Sequence, residues 1–217
     1  MTTRKALIVG ATGLVGGFCL KSLLDDDNYS EVIALVRKPL LKTHRKLKAV
    51  ITTFEHLEPE LPNIHADDVY CCLGTTIKKA GSQEAFRKVD YTLVVTVAGL
   101  MKKHGAEQFL VISAMGANKD SKVFYNRVKG EMEAALQELG YPCLRIFRPS
   151  LLLGPREEFR LGEKIAVMLT PLLEPFLLGS LKKYKPVEAV KVAQFMVKVA
   201  REKPIVGVHV YESDVIE

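Results

Sequence analysis

The sequence predicts an α/β protein in which a doubly wound parallel sheet is covered by helices on both faces, giving three α/β/α layers. Apolar, β-branched runs alternate with amphipathic helical stretches almost to the end of the chain, which is typical of β-α-β units around a parallel sheet. A glycine-rich turn directly follows the first of these runs. The 217 residues are enough for one such domain, because single α/β domains commonly reach this length.

Seven runs are predicted as strands because they are short, rich in Val, Ile and Leu, and bounded by turn residues. They span residues 5–10, 31–37, 48–53, 68–73, 108–113, 142–147 and 206–211. Between the fifth and sixth runs, a helix is predicted from one apolar stripe at helical spacing, which consists of Phe124, Val128, Met132, Ala135 and Leu139. Gly140 is typical of the residue that ends such a helix. A last helix is predicted over 186–202.

The composition is that of an ordinary globular protein, with 48% hydrophobic and 26% charged residues. The four cysteines lack metal-ligand spacing, so we expect reduced thiols and no metal site. Glycines interrupt the apolar N-terminal stretch before a signal-peptide core could form, which predicts a cytoplasmic location. Proline and glutamate interrupt the later apolar stretch 165–181, so no transmembrane helix is predicted.

The net charge of +6 comes partly from a basic cluster after the second predicted strand. We interpret this cluster as a solvated face with one phosphate contact, because such charge runs are usually solvent-exposed. A nucleic-acid surface would need interleaved aromatic residues or a recognition helix, and the sequence shows neither. No nucleic-acid partner is therefore expected. The cluster consists of Arg37, Lys38, Lys42, Arg45, Lys46 and Lys48.

A glycine fingerprint follows the first predicted strand and leads into a helical pattern, which is the context that dinucleotide binding requires. Gly10 allows the sharp turn, Gly13 allows the backbone to approach a pyrophosphate, and Gly16 allows close packing of helix on strand. The helix N-terminus then faces the anion. The sequence therefore predicts a Rossmann domain that binds a nicotinamide dinucleotide. Its loop consists of Gly10, Ala11, Thr12, Gly13, Leu14, Val15 and Gly16.

The end of the second predicted strand indicates which dinucleotide is preferred. NAD-specific sites usually carry Asp or Glu there to hold the ribose hydroxyls, whereas this strand ends with Arg37 and Lys38. A guanidinium can bind a 2′-phosphate through paired, charge-assisted hydrogen bonds. We therefore expect NADP(H) as the cofactor.

Three residues form the candidate catalytic group. Ser113 ends the fifth predicted strand, and Tyr125 and Lys129 follow one turn apart on the next helix. All three are expected at the carboxyl edge of the sheet, where open α/β sheets bind ligands. In this hypothesis, Tyr125 exchanges a proton with the substrate oxygen and Ser113 hydrogen-bonds that oxygen. Lys129 stabilises the phenolate of Tyr125 and holds the nicotinamide ribose.

These motifs resemble those of the atypical short-chain dehydrogenase/reductases, most closely the subgroup represented by the Tat-interacting tumour-suppressor protein. The resemblance implies that Leu73, Gly74 and Thr75 line the path from adenosine to nicotinamide, and that 149–152, including Pro149 and Leu152, contacts the nicotinamide. The matching segments cover nearly the whole chain and are 10–16, 70–76, 79–81, 89–90, 125–131 and 148–149.

The chain departs from this family at two places. Longer relatives usually carry Asn at the position of Asp90, where it is thought to support a proton relay. They also continue further after the Arg148-Pro149 motif, which argues here against a nucleotide-sugar epimerase. We expect residues 1–217 to form a single domain, with 150–217 contributing a reduced substrate-side segment.

These observations favour an NADP(H)-dependent oxidoreductase acting on a small carbonyl or alcohol substrate, in a pocket walled by the apolar stretches 151–153 and 165–178. The alternative is an NADPH-binding regulatory or scaffold protein with little or no turnover. The assembly stays open between a homodimer, through the helices that carry Asp90 and Tyr125, and a different protein partner.

Overall fold

The computed structural model describes residues 3–55, 57–60, 64–154, 179–202 and 205–216. Within these ranges the strands are β1 (Arg4–Val9), β2 (Tyr29–Val36), β3 (Leu47–Ile51), β4 (Asp68–Cys71), β5 (Gln108–Ile112), β6 (Cys143–Arg148), β7 (Leu152–Leu153), β8 (Val187–Glu188) and β9 (Gly207–Glu212). Seven of them form one sheet, in the order β3-β2-β1-β4-β5-β6-β9, and β7 pairs with β8 alone. Every neighbouring pair is parallel.

The helices alternate with these strands along the chain. They are α1 (Leu14–Leu24), α2 (Leu57–Glu60), α3 (Ile77–Ala80), α4 (Gln83–Arg87), α5 (Leu93–Lys103), α6 (Phe124–Glu138) and α7 (Ala189–Arg201). A π-helical segment, Lys88–Thr92, joins α4 to α5, and a 3-10 segment lies at Gly179–Tyr184. Among the described residues, no helix combines the length and the apolar character that crossing a bilayer requires.

The strand order places the ligand-binding crevice. From β1 the chain runs outward through β2 to β3, then returns to β4 on the other side of β1 and continues outward through β5, β6 and β9. The crevice therefore lies where the direction of winding reverses, at the carboxyl ends of β1 and β4.

Two apolar clusters hold the layers together, one on each face of the sheet. On one face, Leu23 of α1 and Met196 of α7 belong to the same buried cluster as Ile8 of β1. On the other face, Met101 of α5 and Met132 of α6 belong to a second buried cluster with residues of the same strands. Helices thus cover both faces, and the predicted three-layer fold class is confirmed.

The amino edge of the sheet is fastened by a buried polar network. Asp68, the first residue of β4, has a fully buried side chain. Its carboxylate accepts two hydrogen bonds of 2.8 Å from Arg4, one of 2.7 Å from the Tyr29 hydroxyl and one of 2.9 Å from Gln108. Gln108 in turn accepts a hydrogen bond from the buried Arg145. The first residues of four strands are therefore tied together at the edge opposite the crevice.

The seven predicted strands of the sheet are all confirmed, with ends shifted by no more than two residues. The predicted helix after β5 is confirmed as α6, and the last predicted helix as α7, although the latter begins later because β8 precedes it. No bounds were predicted for α2, α3, α4, α5, β7, β8 or the π-helical segment. Most of the apolar stretch 165–181, and all of the proposed pocket wall 165–178, lies outside the described residues.

Candidate active site

The loop between β1 and α1 fits only glycine at its sharpest turn. Gly10 has a φ of +79°, and a Cβ on it would lie 2.4 Å from the carbonyl oxygen of Cys72. A Cβ on Gly16 would lie 2.0 Å from the carbonyl oxygen of Gly10. The first turn of α1 is therefore pressed directly against the loop, beside the end of β4.

The N-terminus of α1 is open to an anion. Gly13 caps the helix through its backbone, and within the described ranges no side chain accepts a hydrogen bond from the first N–H groups. Such N–H groups carry a partial positive charge. The loop and helix end predicted to bind the pyrophosphate thus have the shape and polarity for it, and 73–75 follows β4 on the other side of the crevice.

Arg37 and Lys38 directly follow β2, and the side chains of both are exposed. A groove beside Arg37 is also lined by Ile51, Thr52 and Thr53 at the end of β3. The two cations therefore lie at the carboxyl end of β2, and both are accessible from solvent.

Lys129 is held by a buried ion pair. Its side chain is 3% exposed and that of Asp90 is 1% exposed, with 2.8 Å between Nζ and Oδ1. The other carboxylate oxygen of Asp90 accepts a hydrogen bond of 2.8 Å from the backbone N–H of Thr75. Burial lowers the pKa of Lys129, but the Asp90 carboxylate and the Tyr125 phenol raise it by more, so its pKa lies above the usual lysine value.

Tyr125 lies one turn before Lys129 on α6 and is half-buried. Its ring packs against Phe86 of α4, with 5.5 Å between the ring centroids. The structure therefore brings the predicted Tyr125 and Lys129 to one face of α6 and adds Asp90 from the π-helical segment, a type of helix that is frequent at functional sites.

Ser113 directly follows β5 and lies in a second polar cluster. Its hydroxyl donates a hydrogen bond of 2.5 Å to Glu133, and its backbone N–H donates to the carbonyl oxygen of Phe147 over 2.7 Å. Arg148, at the end of β6, binds the Glu133 carboxylate in turn. Sequence reasoning missed Glu133, although Tyr125, Lys129 and Glu133 recur every four residues and so share one helix face.

The segment after Pro149 runs from Ser113 toward the glycine loop. The carbonyl oxygen of Pro149 accepts a hydrogen bond of 3.0 Å from the N–H of Met115. At the other end, a Cβ on Gly154 would lie 2.8 Å from the side chain of Leu14. Leu152 packs against the same apolar cluster as Leu14. The segment that includes the predicted Pro149 and Leu152 thus runs from the end of β6 toward the glycine loop.

Across the described part of the chain, no three His, Cys, Asp or Glu side chains lie close enough together to hold a metal ion. The chemistry available at this edge is instead that of a phenol, an ammonium group, a hydroxyl and two carboxylates. Proton transfer beside a bound dinucleotide suits such a set.

Comparison with known proteins identifies the chain. A family model described as NAD(P)H-binding matches residues 10–141, which include the glycine loop, Ser113, Tyr125 and Lys129. The chain belongs to this NAD(P)H-binding family. The predicted NAD(P)-binding Rossmann domain and the resemblance to atypical short-chain dehydrogenase/reductases are confirmed.

Two relatives of this NAD(P)H-binding protein cover most of its length. Protein HTATIP2 of Rattus norvegicus is 37% identical over 170 residues, which cover 76% of this chain and 70% of that protein. Protein FMP52, mitochondrial, of Eremothecium gossypii is 33% identical over 210 residues, which cover 96% of this chain and 93% of that protein.

A UDP-glucose 4-epimerase from Thermotoga maritima shares the fold. Its structure superposes with a TM-score of 0.71 at 17% identity, covering 97% of this chain and 77% of that one. At this identity the similarity establishes the architecture of the NAD(P)H-binding protein alone, because one fold hosts many functions.

The expected cytoplasmic location is wrong by this comparison. FMP52 proteins from several fungi are named mitochondrial. The expectation depended on an N-terminus without a signal-peptide core, and that feature says nothing about import into an organelle by other routes.

Proposed function

We propose that this NAD(P)H-binding protein is an NADP(H)-dependent oxidoreductase that acts on a small carbonyl or alcohol substrate. The observation that carries the proposal is the face of α6, where the half-buried Tyr125 stands one turn from the buried ammonium group of Lys129. Asp90 connects this face to the backbone of Thr75 after β4, and Gly10 of the glycine loop packs against Cys72 in the same segment. A dinucleotide held by the glycine loop supplies or removes the hydride.

Each side chain has a part in this proposal. Tyr125 gives a proton to the substrate oxygen during reduction and takes it back during oxidation. Lys129 keeps a positive charge beside Tyr125 and reaches toward the ribose of the cofactor. Ser113 hydrogen-bonds the substrate. Arg37 and Lys38 bind the 2′-phosphate that distinguishes NADP from NAD.

The substitution Tyr125→Phe tests the proposal. NADPH consumption is followed by absorbance over a panel of small ketones and aldehydes, and NADPH binding by calorimetry. We expect the phenylalanine variant to lose at least about 100-fold in kcat, the usual contribution of general acid–base catalysis, while its Kd for NADPH stays within about twofold.

Tyr91→Phe serves as the matched control, because Tyr91 lies under the Arg87 guanidinium rather than on the face of α6. It should leave both kcat and the Kd unchanged. Equal turnover by the wild type and the Tyr125 variant would remove Tyr125 from the mechanism.

One observation favours the alternative, an NADPH-binding regulatory protein with little turnover. Asp90 already neutralises Lys129 across 2.8 Å in a buried site, and this withdraws charge from the neighbourhood of Tyr125. Tight NADPH binding without consumption of any carbonyl compound in the panel, together with a protein partner whose affinity depends on NADPH, would support this alternative.

A further inference from the structure

A buried carboxylate fixes the hydroxyl group of Ser113. The Glu133 side chain is 4% exposed, and its Oε1 accepts the Ser113 hydroxyl over 2.5 Å. Arg148 holds both oxygens of this carboxylate, with 3.0 Å from Nε to Oε1 and 2.6 Å from Nη2 to Oε2. A planar guanidinium that binds at two points leaves the carboxylate one orientation. Glu133 therefore cannot turn away from Ser113 without breaking its ion pair.

This arrangement decides which way the hydrogen bond runs. A carboxylate has only acceptor atoms, and a hydroxyl group has one proton to give. The proton between Ser113 and Glu133 must therefore belong to Ser113. The atoms that Ser113 Oγ still offers are lone pairs, so a ligand that reaches this side chain would find a hydrogen-bond acceptor there.

An acceptor at this position does not match a plain ketone. The oxygen of a carbonyl group also accepts, so Ser113 would face it without a proton between them, and burying unpaired acceptors is costly. A hydroxyl group on the carbon next to the carbonyl would instead donate to Ser113. Tyr125 then hydrogen-bonds the reacting oxygen. Tyr125 lies two turns before Glu133 on the same face of α6.

We propose that Glu133 is a positioning residue that makes Ser113 a hydrogen-bond acceptor, and that the site takes hydroxy ketones and the diols they form. The proposal rests on the oxidoreductase function proposed above. In reduction, the carbonyl carbon gains a hydride and its oxygen gains the Tyr125 proton, while NADPH becomes NADP⁺. The hydroxy ketone becomes a diol, and the neighbouring hydroxyl keeps its own proton.

The first experiment compares hydroxyacetone with butanone, which have nearly the same size and differ by a hydroxyl against a methyl group. NADPH consumption gives kcat and KM for each ketone. We expect the wild type to favour hydroxyacetone at least tenfold in kcat/KM, about the effect of one paired polar group, mainly through KM. Glu133→Gln should raise KM for hydroxyacetone and bring the ratio toward one, because its amide can donate to Ser113 and reverse that hydrogen bond.

Two further variants separate positioning from folding. Ser113→Ala removes the acceptor but keeps the Glu133–Arg148 ion pair, and its ratio should also approach one. Glu131→Gln is the matched control, because Glu131 lies on the same helix and pairs with Arg87 instead. It should keep the tenfold preference of the wild type.

A second measurement does not depend on turnover. Ser113→Cys places a thiol beside the Glu133 carboxylate, and a nearby negative charge raises a thiol pKa. The rate of alkylation at this position, followed against pH by peptide mapping, should therefore give a higher pKa than in the same variant combined with Glu133→Gln.

The outcomes distinguish this inference from the proposed function. Consumption of both ketones at equal kcat/KM, or an unchanged ratio in Glu133→Gln, overturns the inference alone. Identical thiol pKa values in the two cysteine variants overturn the coupling of position 113 to Glu133. No NADPH consumption with either ketone overturns the inference, and the proposed enzymatic function falls with it only when every other carbonyl compound of the panel is also left unreduced.

Discussion

Lys129 is a buried cation whose charge depends on one neighbour. Burial alone lowers the pKa of Lys129, and its pKa stays above the usual lysine value because Asp90 and, to a smaller extent, Tyr125 raise it by more. Removing one partner of a buried ion pair leaves the other charge uncompensated, which is among the more destabilising single changes in proteins.

Asp90→Asn should therefore lower the free energy of unfolding by about 3 kcal/mol, measured by urea denaturation at pH 7. Glu107→Gln is a fitting control, because it also removes a carboxylate from an ion pair but at a side chain that is 56% exposed. The control should cost less than about 1 kcal/mol. Equal effects of the two substitutions would show that the Asp90–Lys129 pair is not buried in solution.

A substitution at Arg37 tests the proposed preference for NADP(H) over NAD(H). Arg37→Asp should raise the Kd for NADPH roughly 10- to 100-fold, the range for losing a hydrogen bond to a charged group, and leave the Kd for NADH nearly unchanged. Calorimetry with both dinucleotides gives these values. Arg45→Asp makes the same change of charge beside Asp27 and Tyr29, at the start of β2, and should alter neither Kd. Equal affinity of the wild type for NADH and NADPH would contradict the preference.

Helix α6 shows how much an element-level pattern reveals. Its apolar stripe was visible in the sequence, and Val128 and Met132 are indeed fully buried. Its polar stripe was predicted only in part: Tyr125 and Lys129 were predicted as site residues, whereas Glu133 was not. The importance of Glu133 depends on Ser113 and Arg148, which come from two other elements, and the spacing of residues within one helix cannot reveal such contacts.

The short helices α3 and α4 were missed for a different reason. Each is too short for a stripe at helical spacing, which needs about three turns to be recognised. Both begin at a capping side chain: Thr76 accepts a hydrogen bond from the N–H of Lys79, and Ser82 accepts one from that of Ala85. Such capping residues favour a helix start but are also common in turns, so they do not predict a helix alone.

Two glycines inside helices have opposite roles. A Cβ on Gly130 of α6 would lie 2.2 Å from backbone atoms of Asn118 and Lys119, whereas a Cβ on Gly99 of α5 would meet no atom of the described chain within 4 Å. Gly130→Ala should lower the free energy of unfolding by about 2 kcal/mol through overpacking. Gly99→Ala should raise it by about 0.5–1 kcal/mol, because alanine favours helices. Thermal unfolding of the two variants measures both, and a stabilising Gly130→Ala would show that α6 does not press on that loop.

At the scale of the whole molecule, an ion pair between Asp26 and Arg201 joins the C-terminal ends of α1 and α7. Asp26 follows α1 and is bound by the Arg201 guanidinium at the end of α7, with 2.6 Å between Oδ2 and Nε. Burial raises the pKa of Asp26, but hydrogen bonds from Arg201 and Asn28 lower it by more, so its pKa lies below the ordinary aspartate value. A carboxyl group with a lowered pKa stabilises the folded state above its unfolded pKa and loses that effect as the pH falls through its folded pKa.

Asp26→Asn should therefore cost about 1 kcal/mol of unfolding free energy at pH 7, and this cost should shrink as the pH falls below about 4. Urea denaturation across this pH range measures it. Asp27→Asn provides the neighbouring control, because that side chain is 98% exposed, and it should show almost no effect at any pH. A cost for Asp26→Asn that is independent of pH would contradict the role of the ionised carboxylate.

The glycine loop and the alternation of strands and helices predicted the doubly wound class. They did not by themselves specify the order of the strands. The contact of Asp26 with Arg201 could not be foreseen, because 175 positions separate them and neither lies in a periodic pattern. Long-range polar contacts of this kind depend on the assembled sheet rather than on local preference.

The buried Asp68 network and the side chains of the candidate active site occupy opposite edges of the same sheet. The strands between them are packed with apolar residues on both faces. A substitution at Arg4 or Gln108 therefore lies a full strand length from the candidate active site. Substitutions in the Asp68 network should therefore change the midpoint of thermal unfolding while leaving the arrangement of Tyr125 and Lys129 intact.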